Sequence, residues 1–127
     1  MFHYTVESPK TPEEAIESLT SSLKEENFGV LWHLNLQEKL NEKGVQFRRP
    51  YHILEVCNPA EAERVLSEEP LAGYFLPCKI TVYEQNGRTR IGMPKPTALI
   101  GFMANDTLSA IATDIEKRLI GCIDKNR

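Results

Sequence analysis

Three cysteines and three histidines carry the soft-donor and nucleophilic chemistry of this sequence, and two of the cysteines stand in unusual surroundings. Cys57 closes the apolar run YHILEVC and immediately precedes Asn58-Pro59; Cys78 follows Leu76-Pro77 and opens the run CKITVYE. A thiol just before a helix cap lies near the positive end of the helix dipole, which favours a thiolate when the sulfur points along the axis. Against this stands plain packing, because cysteine is a small apolar residue and among the most often buried. Cys78 shares the parity of Ile80 and Val82, which points to a core position, and Cys122 falls on the apolar stripe of the last helix.

A soft metal site needs three or four thiolate or imidazole ligands. His3, His33 and His52 make no local pair with a cysteine at ligand spacing, so a site has to be assembled across strands, from Cys57, Cys78, His33 and His52. A G-x-S-x-G elbow, a glycine-rich phosphate loop and an H-E-x-x-H helix are all missing. A thiol enzyme is the weakest option, since no general base stands at useful spacing from either cysteine. The carboxylates Glu61, Glu63, Glu68 and Glu69 read as solvated helix ends, and Arg88 and Arg90 fall beside Gln85 and Tyr83 on the outer face of a hairpin. Such a face is solvated, is covered by a partner, or grips an anion.

The elements that position these residues follow from periodicity. FHYTVE at 2–7 alternates as a half-buried strand does. Thr11-Pro12-Glu13-Glu14 is a capping box with proline at the first helical position, followed by Ile16, Leu19 and Leu23 on one stripe. FGVLWHL is a second strand, with Phe28, Val30, Trp32 and Leu34 on its apolar face. Asn35 and Glu38 open a short helix that ends at Gly44. The third strand, YHILEVC, is apolar on both faces, the mark of an interior strand covered on both sides. Asn58-Pro59-Ala60-Glu61 repeats the first cap, with Glu61 reaching back to it and Ala62, Val65 and Leu66 forming the inner face. Asn86-Gly87 marks a type I′ hairpin between strands at about 78–85 and 88–93, with Val82 opposite Ile91. The proline-interrupted stretch MPKPTALIGFMAND packs on the core as a loop or a short helix. A long last helix, about 106 to 124, carries Leu108, Ile111, Ala112, Ile115, Leu119, Cys122 and Ile123.

The order β-α-β-α-β-α-β-β-α, with a late hairpin, is an α+β layout over a single domain, residues 1–127: one mostly antiparallel sheet of about five strands with helices packed on it. A doubly wound parallel sheet is the alternative. Net charge is −3 with 26% charged residues, which argues against a nucleic-acid binder. No apolar run approaches the ~20 residues needed to span a bilayer, and MFHYTVESPKTPEEA lacks the basic and apolar regions of a secretory signal. The expected location is the cytoplasm, where thiols stay reduced; an odd cysteine count agrees.

NFGVL, the stretch from Tyr51 to Glu84 and the C-terminal helix together resemble the bacterial and archaeal family known as domain of unknown function 302. The resemblance covers nearly the whole chain and rests most on CNP and LPC, that is Cys57, Asn58, Pro59, Leu76, Pro77 and Cys78. It implies a fold like that of the TATA-binding protein, β-α-β(4)-α with extra short helices, and no established activity. The chain departs from the family pattern in WHLN, which places His33 and Asn35 where the family tends to carry an acidic residue and Ile-Asp, and in Lys79, where Asn is usual.

Two functional readings follow. One is a non-enzymatic binding module whose pocket, near Cys57, Asn58 and Cys78 and walled by Pro77, holds a small ligand, a soft metal or a sulfur species. The other is a structural or interaction protein acting as a homodimer, its cysteines only packing; one sheet apolar on both faces leaves more surface than three or four helices cover, and two-fold dimers are the commonest assembly.

Overall fold

The computed structural model describes residues 1–127. Its strands are β1 (His3–Ser8), β2 (Gly29–Asn35), β3 (Tyr51–Cys57), β4 (Cys78–Gln85) and β5 (Arg88–Pro94). Its helices are α1 (Pro12–Glu25), α2 (Leu36–Glu42), α3 (Pro59–Glu68), α4 (Pro96–Ile100) and α5 (Asp106–Asp124), with single 3-10 segments at Pro70–Phe75 and Gly101–Met103. The strands form one sheet in the order β1-β5-β4-β3-β2, every neighbouring pair antiparallel. The fold is α+β, and the parallel alternative is excluded.

Local chemistry fixes the helix ends. The Thr11 hydroxyl accepts from the Glu14 amide while the Glu14 carboxylate accepts from the Thr11 amide, the reciprocal box that satisfies two otherwise orphaned donors. Asn35 caps α2 and Asn105 caps α5, each accepting from the amide three residues on. Asn58 caps α3 by accepting from both Ala60 and Glu61, but Glu61 does not reach back. One oxygen of its carboxylate pairs instead with Arg64, 2.8 Å away, because a guanidinium one turn on is a stronger partner than a neutral amide. At the hairpin, Asn86 and Gly87 both hold positive φ, as a type I′ turn demands, and Val82 faces Ile91.

The core lies on one face of the sheet. Leu54, Val56, Ile80, Val82, Ile91 and Met93 point into it from the strands, and Leu19 and Leu23 of α1 with all seven stripe residues of α5 close it. On the opposite face only Gly92 is buried. Ile53 there is half-buried between its cross-strand neighbours Leu34 and Thr81, and the short α2, none of whose residues is fully buried, contacts β2 and β3. The expectation that β3 is covered on both faces holds in part: the strand is interior in the sheet order, its core face is fully buried, and its outer face, Tyr51, Ile53, Glu55 and Cys57, is half-buried.

Two further expectations are overturned. β2 does not keep one parity, because the register slips between Val30 and Trp32. Leu31 is the extra residue of a β-bulge, and every side chain after it changes face. Phe28 and Val30 therefore meet the core, while Trp32, 52% exposed, and Leu34 sit on the outer face. In α3, Leu66 is 41% exposed and only Val65 is fully buried, since the helix rests on the core by a narrow stripe.

Candidate functional site

Register places the two motif cysteines at one end of the sheet. Val56 of β3 pairs with Cys78 of β4, so Cys57 is the next residue along. Cross-strand spacing and one residue of rise put the two Cα atoms about 6 Å apart. All three cysteines are free thiols. Alternation turns the side chains of Val56 and Cys78 inward and starts Cys57 toward the other face; the chain then bends into the Asn58 cap. Both cysteines border a small cavity of about 20 Å³, with Phe28, Asn58, Glu61 and Ile115 among its other walls. That is room for one water molecule. Burial pushes the Cys78 thiol up to about 11, with the nearby Cys57 adding to the effect. Asn58 is buried, and besides capping α3 it donates its amide to the carbonyl of Glu26 at 3.4 Å, tying the helix start to the end of α1.

Glu61 beside this cavity has one buried carboxylate oxygen without a hydrogen-bond partner. Arg118 of α5 stands 3.9 Å from that oxygen, its guanidinium held instead by the carboxylate and carbonyl of Glu26, by Asp114, and over the ring of Phe28.

On the other side of Cys78 lies a larger cavity of about 270 Å³, and Val65, Leu76, Cys78 and Ile115 separate it from the small one. Its apolar walls come from the 3-10 segment through Tyr74 and Phe75, from α4 through Leu99 and Ile100, and from α5 through Leu108, Ala112 and Leu119. Pro77, Pro94 and Pro96 line it too; Glu55 and Lys79 are its charged residues. The peptide bond between Leu76 and Pro77, just before Cys78, is cis.

The four metal-ligand candidates, Cys57, Cys78, His33 and His52, do not converge. His33 and His52 meet at the far end of β3, where His33 Nε2 and His52 Nδ1 share a hydrogen bond of 2.8 Å. Their ring centres are 5.0 Å apart, so the nitrogens meet nearly head-on instead of turning side by side toward a third point, as a chelated ion requires. Burial and the neighbouring His33 hold His52 below the ordinary histidine range, with Glu13 pulling weakly the other way. Nowhere do three or more His, Cys, Asp or Glu side chains gather as a metal-binding group. Arg88 and Arg90 do grip an anion on the outer face, but it is the chain's own Glu7, at 3.4 and 3.1 Å.

Sequence reasoning singled out Cys57, Asn58, Cys78 and Pro77 and missed most of the large cavity. Tyr74, Met93, Leu99 and Ala112 lie in four separate segments, and no local pattern links them. Glu55 carried a signal that was readable once β3 and β4 are paired: it stands directly opposite Lys79.

The family model described as Domain of unknown function DUF302 matches residues 4–126. No curated protein matches the chain. Among solved structures, the crystal structure of an uncharacterized conserved protein DUF302 from Bacillus stearothermophilus is 59% identical, with a TM-score of 0.97; the match covers 100% of this chain and 99% of that one.

Proposed function

The chain belongs to the DUF302 family, whose name assigns no activity, and we propose that it is a non-enzymatic binding module for a small, largely apolar ligand. The observation that carries this is the cavity of about 270 Å³ at the Cys78 end of the sheet, twelve of whose seventeen lining residues are hydrophobic. Small-ligand sites are concave, mostly apolar and largely preformed, with a few polar groups that fix orientation. Cys78 belongs to the wall, while Cys57 and Asn58 sit one layer behind it and brace the start of α3. A thiol pushed up to about 11 is neutral at pH 7, which suits an apolar wall and not a nucleophile. A reducing compartment, the cytoplasm, fits the three free thiols.

The test uses N-phenyl-1-naphthylamine, a neutral dye that brightens in apolar pockets. Saturable enhancement is expected for the wild type. It should disappear when the cavity is filled by Ala112→Phe or, at a less buried position, Leu99→Trp, with the melting temperature held. Absence of saturable binding by the wild type, or binding unchanged in both folded variants, overturns the reading.

A second reading, a homodimer, is favoured by the outer sheet face, where Trp32 is 52% exposed and Leu34 and Ile53 are only half-buried. Light scattering decides it: a mass of twice 14.5 kDa supports the dimer and 14.5 kDa at high concentration refutes it.

A further inference from the structure

Single large hydrophobic side chains on a surface are ordinary; several on adjoining segments call for a partner. Leu66 of α3, Leu71 and Tyr74 of the 3-10 segment at Pro70–Phe75, and Phe102 of the one at Gly101–Met103 are all exposed, Tyr74 to 83% and Phe102 to 84%. These segments adjoin. Leu66 Cδ2 lies 3.5 Å from where a Cβ on Gly73 would stand, and the Asn105 side-chain amide, a few residues past Phe102, reaches the Glu68 carboxylate at 3.5 Å. Tyr74 lines the large cavity, so the patch lies at the Cys78 end of the sheet. Three carboxylates border it, Glu68, Glu69 and Asp106, and none takes part in an ion pair.

The converse surface stands at the other end of the molecule, on the loop between α2 and β3. Val45 is 52% exposed there, and Phe47 is half-buried under the guanidinium of Arg49. Arg48 and Arg49 are both exposed, and neither takes part in an ion pair. β3 runs from Tyr51, just after this loop, to Cys57, a length of about 20 Å. Loop and patch therefore cannot meet within one chain.

We propose that the patch docks the Val45–Arg49 loop of a second copy, with Val45 and Phe47 against Leu71, Tyr74 and Phe102, and with Arg48 and Arg49 beside Glu68, Glu69 and Asp106. Charge selects this occupant. The three carboxylates repel an anionic lipid surface, and two patches face to face would set carboxylate against carboxylate. The loop brings apolar side chains and the opposite charge in one short stretch. Two different surfaces meet, so the copies join head to tail, closing into a ring or running on as a chain. This contact differs from a dimer through the outer sheet face, and it does not depend on what the cavity holds.

Sedimentation velocity over a concentration series tests it with three proteins. The wild type should self-associate, and ~1 M salt should weaken the association by screening. Arg48→Glu with Arg49→Glu reverses the loop's charge; Glu68→Lys with Phe102→Lys spoils the patch. All four positions are exposed, so both variants should fold, and melting temperatures check that they do. Each variant alone should associate at least about tenfold more weakly than the wild type. Mixed in equal amounts, at concentrations where neither associates alone, they should form a complex of two chains, because one keeps the loop and the other keeps the patch. A wild type that stays at 14.5 kDa throughout overturns the inference. Association that both variants keep on their own, the result a contact through the outer sheet face gives, overturns it too, and so does a mixture no larger than its parts.

Discussion

Raising the pH should expose the cost of burying Cys78. Its thiol is pushed from 9.0 to about 11, first by burial and then by the neighbouring Cys57. The folded protein therefore holds this proton more tightly than the unfolded chain does. A group whose folded pKa is raised contributes stability that is fully present below its unfolded pKa and is lost as pH climbs through the folded one. The window here opens at about pH 9 and closes above about 11. Two pKa units correspond to about 2.7 kcal/mol at the upper end, and the linkage relation gives about 1.4 kcal/mol already lost at pH 10.

Lysines and tyrosines also titrate in this range, so the comparison must isolate the one thiol. Cys78→Val keeps an apolar side chain of similar size and removes the titration. Urea midpoints of both proteins at pH 7 and pH 10, converted with their own m-values, give a double difference. The wild type should lose about 1.4 kcal/mol more than the variant across that interval. Iodoacetamide at pH 8 gives a second readout, with Cys78 alkylated last or only after denaturation. Equal alkaline losses in the two proteins would refute the burial argument and return Cys78 to the list of candidate nucleophiles.

Other perturbations follow from the same geometry. Ile115 is buried on α5 and borders both cavities, so Ile115→Ala should cost about 2–3 kcal/mol in urea melts, the lower part of the range for core truncations because part of its surface already faces empty space. Gly87 holds a φ of +75° with open space around a would-be Cβ; Gly87→Ala should thus cost about 1–2 kcal/mol from backbone strain alone, and an unchanged melting temperature would contradict the type I′ turn. His52 lies below the ordinary histidine range, so its contribution is present above pH 6.5 and is lost as pH falls from there toward its folded pKa. The wild type should lose more stability than His52→Leu between pH 7 and pH 5, and parallel losses would show that the buried imidazole does not drive acid destabilisation.

Much of the fold was legible because its signals are local. The Thr11 box, the Asn86-Gly87 turn and the seven apolar positions of α5 each declare themselves within a few residues, and each was found where the sequence placed it. The failures share a different cause. A bulge is one extra residue without its own signature, so the alternation of FGVLWHL was carried through Leu31 when the pairing with β3 breaks it there. Leu66 reads as inner face from the helical period alone, yet how wide a stripe α3 buries depends on how the helix sits on the core. The cavity is the extreme case: its walls come from segments between residues 55 and 119, and only the folded chain brings them together.

Composition does explain why the hollow lies at that end of the sheet. Pro70, Pro77, Pro94 and Pro96 all fall in the segments that cross or flank it. Each proline removes a backbone donor and fixes φ, so the chain can run past the end of the sheet without an unsatisfied amide, but it cannot extend β4 or β5 to fill the space. The helices available there are short, five residues in α4 and six in the 3-10 segment, and neither can present a full apolar face. On α5 the residue that lines the cavity midway between Leu108 and Ile115 is Ala112, the smallest side chain of the buried stripe. A chain under pressure only for stability would place a leucine at 112, since filling such a space commonly adds about 0.5–2 kcal/mol. On the binding-module reading we propose, the alanine leaves that space open for a ligand.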